Sequence, residues 1–169
     1  FQKTPGQKVA PKQPIGECEP MNVLRHGIYM PLFLSLAVLA IALPIRPPLP
    51  VDETRYLAVA WDMWLKGNYL VPHLNGAPYS HKPPLLFWFM AGGWHLFGVN
   101  EWWPRLVAPL FGFGSLILTF YLGRTLWPES KETWPLAPTL LFGSLFWCVF
   151  ATLTMFDMLL TFFSLAAIL

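Results

Sequence analysis

Three small groups of charged residues lie beside apolar runs and could carry chemistry. The first contains Asp52, Glu53, Arg55 and Tyr56. Adjacent carboxylates and a guanidinium near hydrocarbon are costly, so such a group indicates function by default. A carboxylate there could act as a general base or stabilise positive charge in a transition state. The structural alternative is that Asp52 caps a helix while Arg55 pairs with a lipid headgroup. Charge placement alone leaves both open.

The second group is His81 and Lys82, which are followed by Pro83 and Pro84. A lysine held at a membrane surface can bind a phosphate as a point charge. Alternatively, a lysine there can extend its stem along apolar surface and contact ordinary lipid phosphates. Taken alone, Lys82 favours this second interpretation.

The third signal is Asp157, the one charge in a run that is otherwise apolar from residue 136 to residue 169. Aspartate can cap the helix that follows it. However, Asn or Ser could cap a turn this apolar without placing a charge at the edge of the bilayer. We therefore favour a functional role for Asp157.

The sequence gives little support for a metal site or for a catalytic nucleophile. His73 and His81 share one segment with the carboxylates and could hold a divalent cation, but they lack a spacing such as HExxH. Cys18 and Cys148 have no CxxC partner. The sequence contains neither a glycine-rich phosphate loop nor a nucleophile elbow. We predict no metal site.

The composition indicates which elements must position these groups. Hydrophobic residues make up 55% of the 169 residues and charged residues 12%, about half of the charged share of an average soluble domain. This composition predicts a polytopic integral membrane protein. The net charge of +2 is spread along the chain, so no basic block suggests a nucleic-acid partner.

Hydropathy predicts four membrane spans, at residues 27–43, 106–126, 136–154 and 158–169. Residues 1–20 are polar and predict a disordered arm or an extension foreign to the fold. Because the fourth run is still apolar at Leu169, we expect residues 21–169 to be the N-terminal part of a larger transmembrane domain.

The first long loop, residues 44–105, is predicted to carry two surface helices. Residues 54–66 form the first, which Asp52 or Thr54 would cap and Gly67 would end. Asn75-Gly76 and Ala77-Pro78 are predicted to form turns between the two helices. Residues 85–99 are too short to span and suit an interfacial helix. If they lie on the surface, Asp52 and Asp157 reach the same face of the membrane. If they cross it, these carboxylates lie on opposite faces, and the distribution of Lys and Arg does not decide between the two.

Four sequence blocks together are more specific than any one of them: DETRY at residues 52–56, GNYLVPHLNG at 67–76, HKPPL at 81–85 and FDMLLT at 156–161. In this order and spacing, the chain resembles the polyprenyl-phosphate sugar transferases of the C-type fold. It is most similar to the bacterial lipid A aminoarabinose transferases. The protein O-mannosyltransferases share the Asp-Glu pair after the first span. The resemblance runs from about residue 21 to residue 169.

The resemblance implies an all-α bundle embedded in the membrane, with its first four transmembrane helices here and interfacial helices in the first extracytoplasmic loop. It implies a glycosyltransferase of the cell inner membrane whose site faces the periplasm or exterior. Such an enzyme takes a sugar from a polyprenyl-phosphate donor to a lipid, glycan or protein acceptor. No cofactor is required, with a divalent cation as the alternative.

The resemblance also suggests a role for each site residue. Asp52 and Asp157 match the catalytic acids, and Lys82 and Arg55 match groups that bind the donor phosphate. Glu53, Tyr56 and His81 would support them. One departure is that the aminoarabinose transferases carry an acidic residue where this chain has His81, which leaves the sugar and any metal role open.

Two other classes of function remain as alternatives. A transporter would place ionisable residues inside its spans, whereas Asp52 and Asp157 lie at span ends. A non-catalytic membrane protein of the same fold would keep the surface helices without turnover, and the sequence does not separate it from the enzyme.

Overall fold

The computed structural model describes residues 20–131 and 133–169, with side chains from residue 27 onward. The predicted polar arm, Cys18 included, lies outside the described residues except for Pro20, where the first helix begins. The described elements are α1 (Pro20–Ile45), α2 (Asp52–Lys66), β1 (His73–Leu74), β2 (Ala77–Pro78), α3 (Leu85–Phe97), α4 (Trp102–Leu126), α5 (Thr133–Gly143), α6 (Leu145–Phe150) and α7 (Asp157–Ile168). The helical fold predicted from the sequence is confirmed.

Helix α4 is the centre of a bundle that also contains α1, α5, α6 and α7. Glycines allow close packing in it. A Cβ on Gly114 would lie 2.6 Å from the ring of Phe162 on α7, and Gly112 faces Met158 and Trp147. Among the described residues, two helical segments are long and apolar enough to cross a membrane, Gly27–Ile45 and Trp102–Leu126. They correspond to the first two predicted spans.

The third predicted span, residues 136–154, differs from the observed structure. Helix α5 ends at Gly143, Ser144 is extended with ψ of 119°, and α6 has only six residues before turns begin at Ala151. Gly143 and Ser144 are weak helix formers, so the apolar run is divided into two helices. One continuous helix over 136–154 is therefore wrong, and the count of four spans stays a prediction.

Helices α2 and α3, with the hairpin between them, form a unit that we call the loop module (residues 52–97). Its two helices pack against each other, and α3 packs against α4. The shared core includes Val59, Met63, Leu86, Phe87 and Met90, all buried. Helix α3 has 13 residues, which at 1.5 Å per residue is about 20 Å long.

The hairpin pairs His73 with Pro78 and Leu74 with Ala77. Asn75 and Gly76 form its turn with φ of 52° and 83°. Two successive positive φ angles match the type I′ turn, for which Asn-Gly is the preferred sequence. The turn predicted at Asn75 and Gly76 is confirmed, whereas the turn predicted at Ala77 and Pro78 is wrong because these residues form β2.

The start of α2 also differs from the prediction. The helix begins at Asp52, and Val51 occupies the N-cap position with φ of 79° and no side-chain cap. Neither Asp52 nor Thr54 is the cap. A positive φ is strained for a β-branched residue. At the other end, Gly67 has the left-handed φ of 64°, which confirms the predicted helix end.

Candidate active site

Phe156 brings the starts of three helices together. Its ring centroid lies 5.1 Å from that of Tyr56 in α2 and 5.5 Å from that of Phe87 in α3, both edge to face. The ammonium nitrogen of Lys82 lies 5.7 Å from the centroid of the same ring. Because Asp157 follows Phe156 directly, this aromatic contact brings residues from the three predicted charged groups into one region.

Asp52 and Arg55 form a partly exposed ion pair on the first turn of α2. Arg55 Nη2 donates to Asp52 Oδ1 over 3.1 Å, and the two side chains are 33% and 47% exposed. Water therefore screens the pair, and it contributes little to stability. Both groups stay accessible to a ligand.

Tyr56 lies beneath this pair and is buried. Burial raises the pKa of its phenol, and Tyr79, Asp52 and Asp157 raise it further through their charge, while Arg55 lowers it. Carboxylates from α2 and from α7 thus act on the same hydroxyl. This shared influence is a second sign, besides the contacts of Phe156, that Asp52 and Asp157 border one region.

Lys82 is exposed at the end of the segment that leads from the hairpin into α3. Among the described side chains it forms no ion pair, and its charge lies over the Phe156 ring. His81 is also exposed, with its ring centroid 5.5 Å from that of Tyr79. The lysine charge is thus directed toward the region that contains Asp157.

Asp157 is the first residue of α7 and is exposed. The N-cap position belongs to Phe156, and no side-chain hydrogen bond caps the helix. The capping interpretation of Asp157 is therefore wrong. A carboxylate in a first turn still interacts favourably with the helix dipole, but that interaction leaves both oxygens available to other groups.

Glu53 differs from its neighbour Asp52, because it is fully buried. Its carboxylate is ion-paired with Arg46 and accepts the backbone N–H of Leu49 at 2.7 Å and of Thr154 at 2.6 Å. Burial raises the pKa of Glu53, but the hydrogen bonds from Arg46, Leu49 and Thr154 outweigh it and lower the pKa from 4.5 to about 2. Glu53 is charged but is not exposed toward a substrate.

Sequence reasoning missed Arg46 and Arg105. Arg46 Nη2 donates to the carbonyl oxygen of Thr152 over 2.7 Å, and Arg105 donates to the carbonyl oxygen of Arg46. The available signal was an arginine within the proline-rich segment that directly follows the first span. A charge that close to hydrocarbon requires a partner.

The three histidines of the first long loop do not form a metal cluster. His73 Nδ1 lies 2.8 Å from the carbonyl oxygen of Val71, and the ring of His95 packs 4.4 Å from that of Trp64. Within residues 27–131 and 133–169, whose side chains the structure describes, no group of three or more His, Cys, Asp or Glu residues could hold a metal ion.

The chain is similar in sequence to known arabinosyl transferases. No family model matches the chain. An undecaprenyl phosphate-alpha-4-amino-4-deoxy-L-arabinose arabinosyl transferase of Pseudomonas fluorescens strain Pf0-1 is 35% identical over 107 residues, which is 62% of this chain and 19% of that protein. A second such transferase, from Pseudomonas fluorescens strain Pf-5, is 32% identical over 74% of this chain and 21% of its own length. The chain spans about a fifth of the length of these curated relatives.

Solved structures give the same result. ArnT from Cupriavidus metallidurans in the apo state superposes with a TM-score of 0.67 at 25% identity over 78% of this chain and 24% of that one. The same protein bound to undecaprenyl phosphate gives 0.68 at 26% identity over 82% and 25%. The resemblance to polyprenyl-phosphate sugar transferases of the C-type fold is confirmed, and the helical fold of this chain matches part of theirs.

Proposed function

We propose that this chain forms the donor-binding part of a membrane glycosyltransferase that moves a sugar from a polyprenyl-phosphate donor to an acceptor. The observation that carries the proposal is the contact of Phe156 with Tyr56, Phe87 and Lys82. It brings Lys82, a cation without an ion-pair partner in the described chain, into the region bordered by the carboxylates of Asp52 and Asp157. An anionic lipid that carries a sugar on its phosphate fits both kinds of group, because the phosphate binds the cation and the sugar lies near the carboxylates.

The cations bind the leaving group. As the bond between the anomeric carbon and the phosphate oxygen breaks, the electron pair and negative charge move to polyprenyl phosphate. Lys82 stabilises this charge as a point charge, and Arg55, held on the first turn of α2, supplies hydrogen bonds. The Asp52 partner of Arg55 is partly exposed, so a phosphate can replace it at little cost.

The role of the carboxylates depends on the acceptor. If the acceptor is a hydroxyl, its oxygen attacks the anomeric carbon and its proton passes to Asp52, which acts as general base. If the acceptor is a phosphate of a lipid such as lipid A, no base is needed. Asp52 then stabilises positive charge at the anomeric carbon. Asp157 orients the sugar in both cases.

We place the site at the extracytoplasmic face of the inner membrane. Helix α3 is about 20 Å long, and the hydrocarbon core of a bilayer is about 30 Å thick. A surface position for α3 leaves residues 44–105 on one side of the membrane, together with the start of α7. This topology places Asp52, Lys82 and Asp157 on the same face.

The transporter alternative receives less support. A proton or ion pathway needs ionisable groups inside spans, and Gly27–Ile45 and Trp102–Leu126 contain no Asp or Glu. No metal is part of the proposal, since the cations of Lys82 and Arg55 supply the charge that a metal would otherwise provide.

The test is single-turnover transfer of 4-amino-4-deoxy-L-arabinose from undecaprenyl phosphate by the intact protein. Asp52→Asn should lower the rate on the order of 10²-fold, since the amide removes the negative charge needed for either role. Asp62→Asn is the matched control, because Asp62 lies on the same helix in an ion pair with Lys66. A stable and fully active Asp52→Asn variant would contradict the proposal.

A second variant tests whether Lys82 binds the phosphate of the donor. Lys82→Met keeps the apolar stem and removes the charge, so the KM for the donor should rise about tenfold, in line with about 1.4 kcal/mol of lost binding. Lys66→Met is the control, because Lys66 is a second exposed lysine of the loop module. An unchanged donor KM would mean that Lys82 contacts ordinary lipid and does not bind the donor phosphate.

A further inference from the structure

The Glu53 carboxylate has four hydrogen-bond donors around it. Oε1 faces Arg46 Nη2 at 3.2 Å and the Thr154 N–H at 2.6 Å. Oε2 faces Arg46 Nη1 and the Leu49 N–H at 2.7 Å. A carboxylate offers about four lone-pair positions, and the protein fills all four. Glu53 has no acceptor position left for a substrate hydroxyl.

These bonds join three segments that are distant in sequence. Arg46 and Leu49 follow α1, Glu53 lies in α2, and Thr154 lies 101 positions later in the turns before α7. Arg46 adds a further bond to the carbonyl oxygen of Thr152. The turns at residues 151–156 are thus held against the start of α2 from two sides.

The hydrogen bonds of Glu53 affect the candidate active site because the segments that they join lie next to Asp52 and Asp157. Asp52 precedes Glu53, and Asp157 follows Thr154 by three residues. Within this interval, Phe156 packs on Tyr56. The buried polar contact and the aromatic contact therefore fix the α7 start relative to α2, and with it the carboxylates of Asp52 and Asp157.

We propose that Glu53 and Arg46 are positioning residues, which hold the turns at residues 151–156 so that Asp157 faces Asp52 and Lys82. This inference rests on the proposed transfer reaction. It assigns the second carboxylate of the Asp-Glu pair to assembly of the site and the first to contact with the sugar.

Glutamine cannot replace Glu53 in this arrangement. In either orientation of the amide, its NH2 group faces Arg46 and one backbone N–H, so donors meet donors. Glu53→Gln therefore breaks at least two of the four bonds and removes the charge that neutralises Arg46. The substitution changes hardly any volume, which makes it a clean probe of the polar contact.

The first measurement does not depend on catalysis. Met155→Cys, introduced into the intact protein with every other cysteine replaced by Ala, Cys18 and Cys148 included, reports on the turns through its rate of reaction with maleimide. Met155 is half-buried. Adding Glu53→Gln should raise the labelling rate at least fivefold, and Asp62→Asn, which breaks an ion pair at the far end of α2, should leave it unchanged. An unchanged rate in Glu53→Gln overturns the proposal.

The second measurement separates positioning from general loss of structure. In Glu53→Gln, the kcat of sugar transfer should fall at least tenfold while the KM for the lipid donor changes less than twofold, because Lys82 and Arg55 are retained. Arg46→Met should give the same pattern, and the double variant should be no worse than either single one, since both remove the same contact.

The outcomes distinguish the two proposals. Faster labelling with an unchanged kcat would overturn the positioning role while leaving the proposed function intact. Absence of transfer by the unsubstituted protein would refute the proposed function, and with it the positioning role for that reaction, whatever the labelling shows. A parallel rise in KM would mean that Glu53 supports donor binding and would also overturn the proposal.

Discussion

Helix α3 of the loop module and helix α1 are both apolar, but they bury their apolar side chains to different extents. In the module, Phe87 and Met90 are inaccessible to solvent. On α1, Phe33 is 70% exposed and Ile41 61%. The module is therefore held by contacts within the described chain, whereas α1 presents a surface of the kind that lipid or other helices cover. Apolar sequence alone does not tell these situations apart.

The largest expected effect tests whether a buried ring of the loop module contributes more to stability than an exposed ring of α1. Phe87→Ala removes a buried ring that touches Tyr56, Tyr79 and Phe156, so it should lower the free energy of unfolding by about 3–5 kcal/mol. Phe33→Ala removes an exposed ring of the same size and should change it by less than about 0.5 kcal/mol. Chemical denaturation in detergent measures both. Equal effects would mean that the two regions do not differ as described.

Acid should weaken the attachment between the loop module and the bundle. The pKa of Glu53 is about 2 in the folded protein against an ordinary value of 4.5. A lowered folded-state pKa gives stability that is complete above pH 4.5 and is lost as the pH falls toward 2. The difference corresponds to at most about 3 kcal/mol.

The measurement is the thermal midpoint between pH 6 and pH 3. The midpoint of the unsubstituted protein should fall across this window, and that of Glu53→Gln should be lower at pH 6 but fall less steeply. Parallel curves would show that another carboxylate governs acid stability.

The smallest effects concern two glycines within the loop module. Gly67 ends α2 with φ of 64°, so Gly67→Ala should lower the free energy of unfolding by about 1 kcal/mol. Gly92 lies within α3, and a Cβ there would meet nothing within 4 Å. Gly92→Ala should raise the free energy of unfolding by about 0.5–1 kcal/mol. Effects of the same sign in denaturation experiments would contradict the assigned backbone conformations.

Local signals predicted the loop module well. Gly67 as a helix end and the Asn75-Gly76 turn follow from backbone preferences that act over a few residues. The length of the apolar run predicted a short helix over residues 85–99, and the observed helix covers residues 85–97. The resemblance to the polyprenyl-phosphate sugar transferases rested on the order and spacing of the four sequence blocks. These features needed no information about distant contacts.

Distant contacts explain what the sequence did not predict. Asp52 and Glu53 are adjacent carboxylates on the first turn of one helix, yet Asp52 is partly exposed and Glu53 is buried against Arg46 and Thr154. The partner at Thr154 is a backbone N–H, which every residue except proline carries. A side-chain pattern therefore could not reveal it. The break at Ser144 was missed because hydropathy measures apolar character and not helix continuity.

The contact of Phe156 with Tyr56 and Phe87 also imposes an order of events during synthesis. Tyr56 and Phe87 emerge from the ribosome long before Phe156, which is 100 positions after Tyr56. At about 5–20 residues per second, the ring of Tyr56 waits roughly 5–20 s for its aromatic partner, and the ring of Phe87 waits a somewhat shorter time. The Asp52 and Lys82 side of the site can thus form early, and its second carboxylate arrives last.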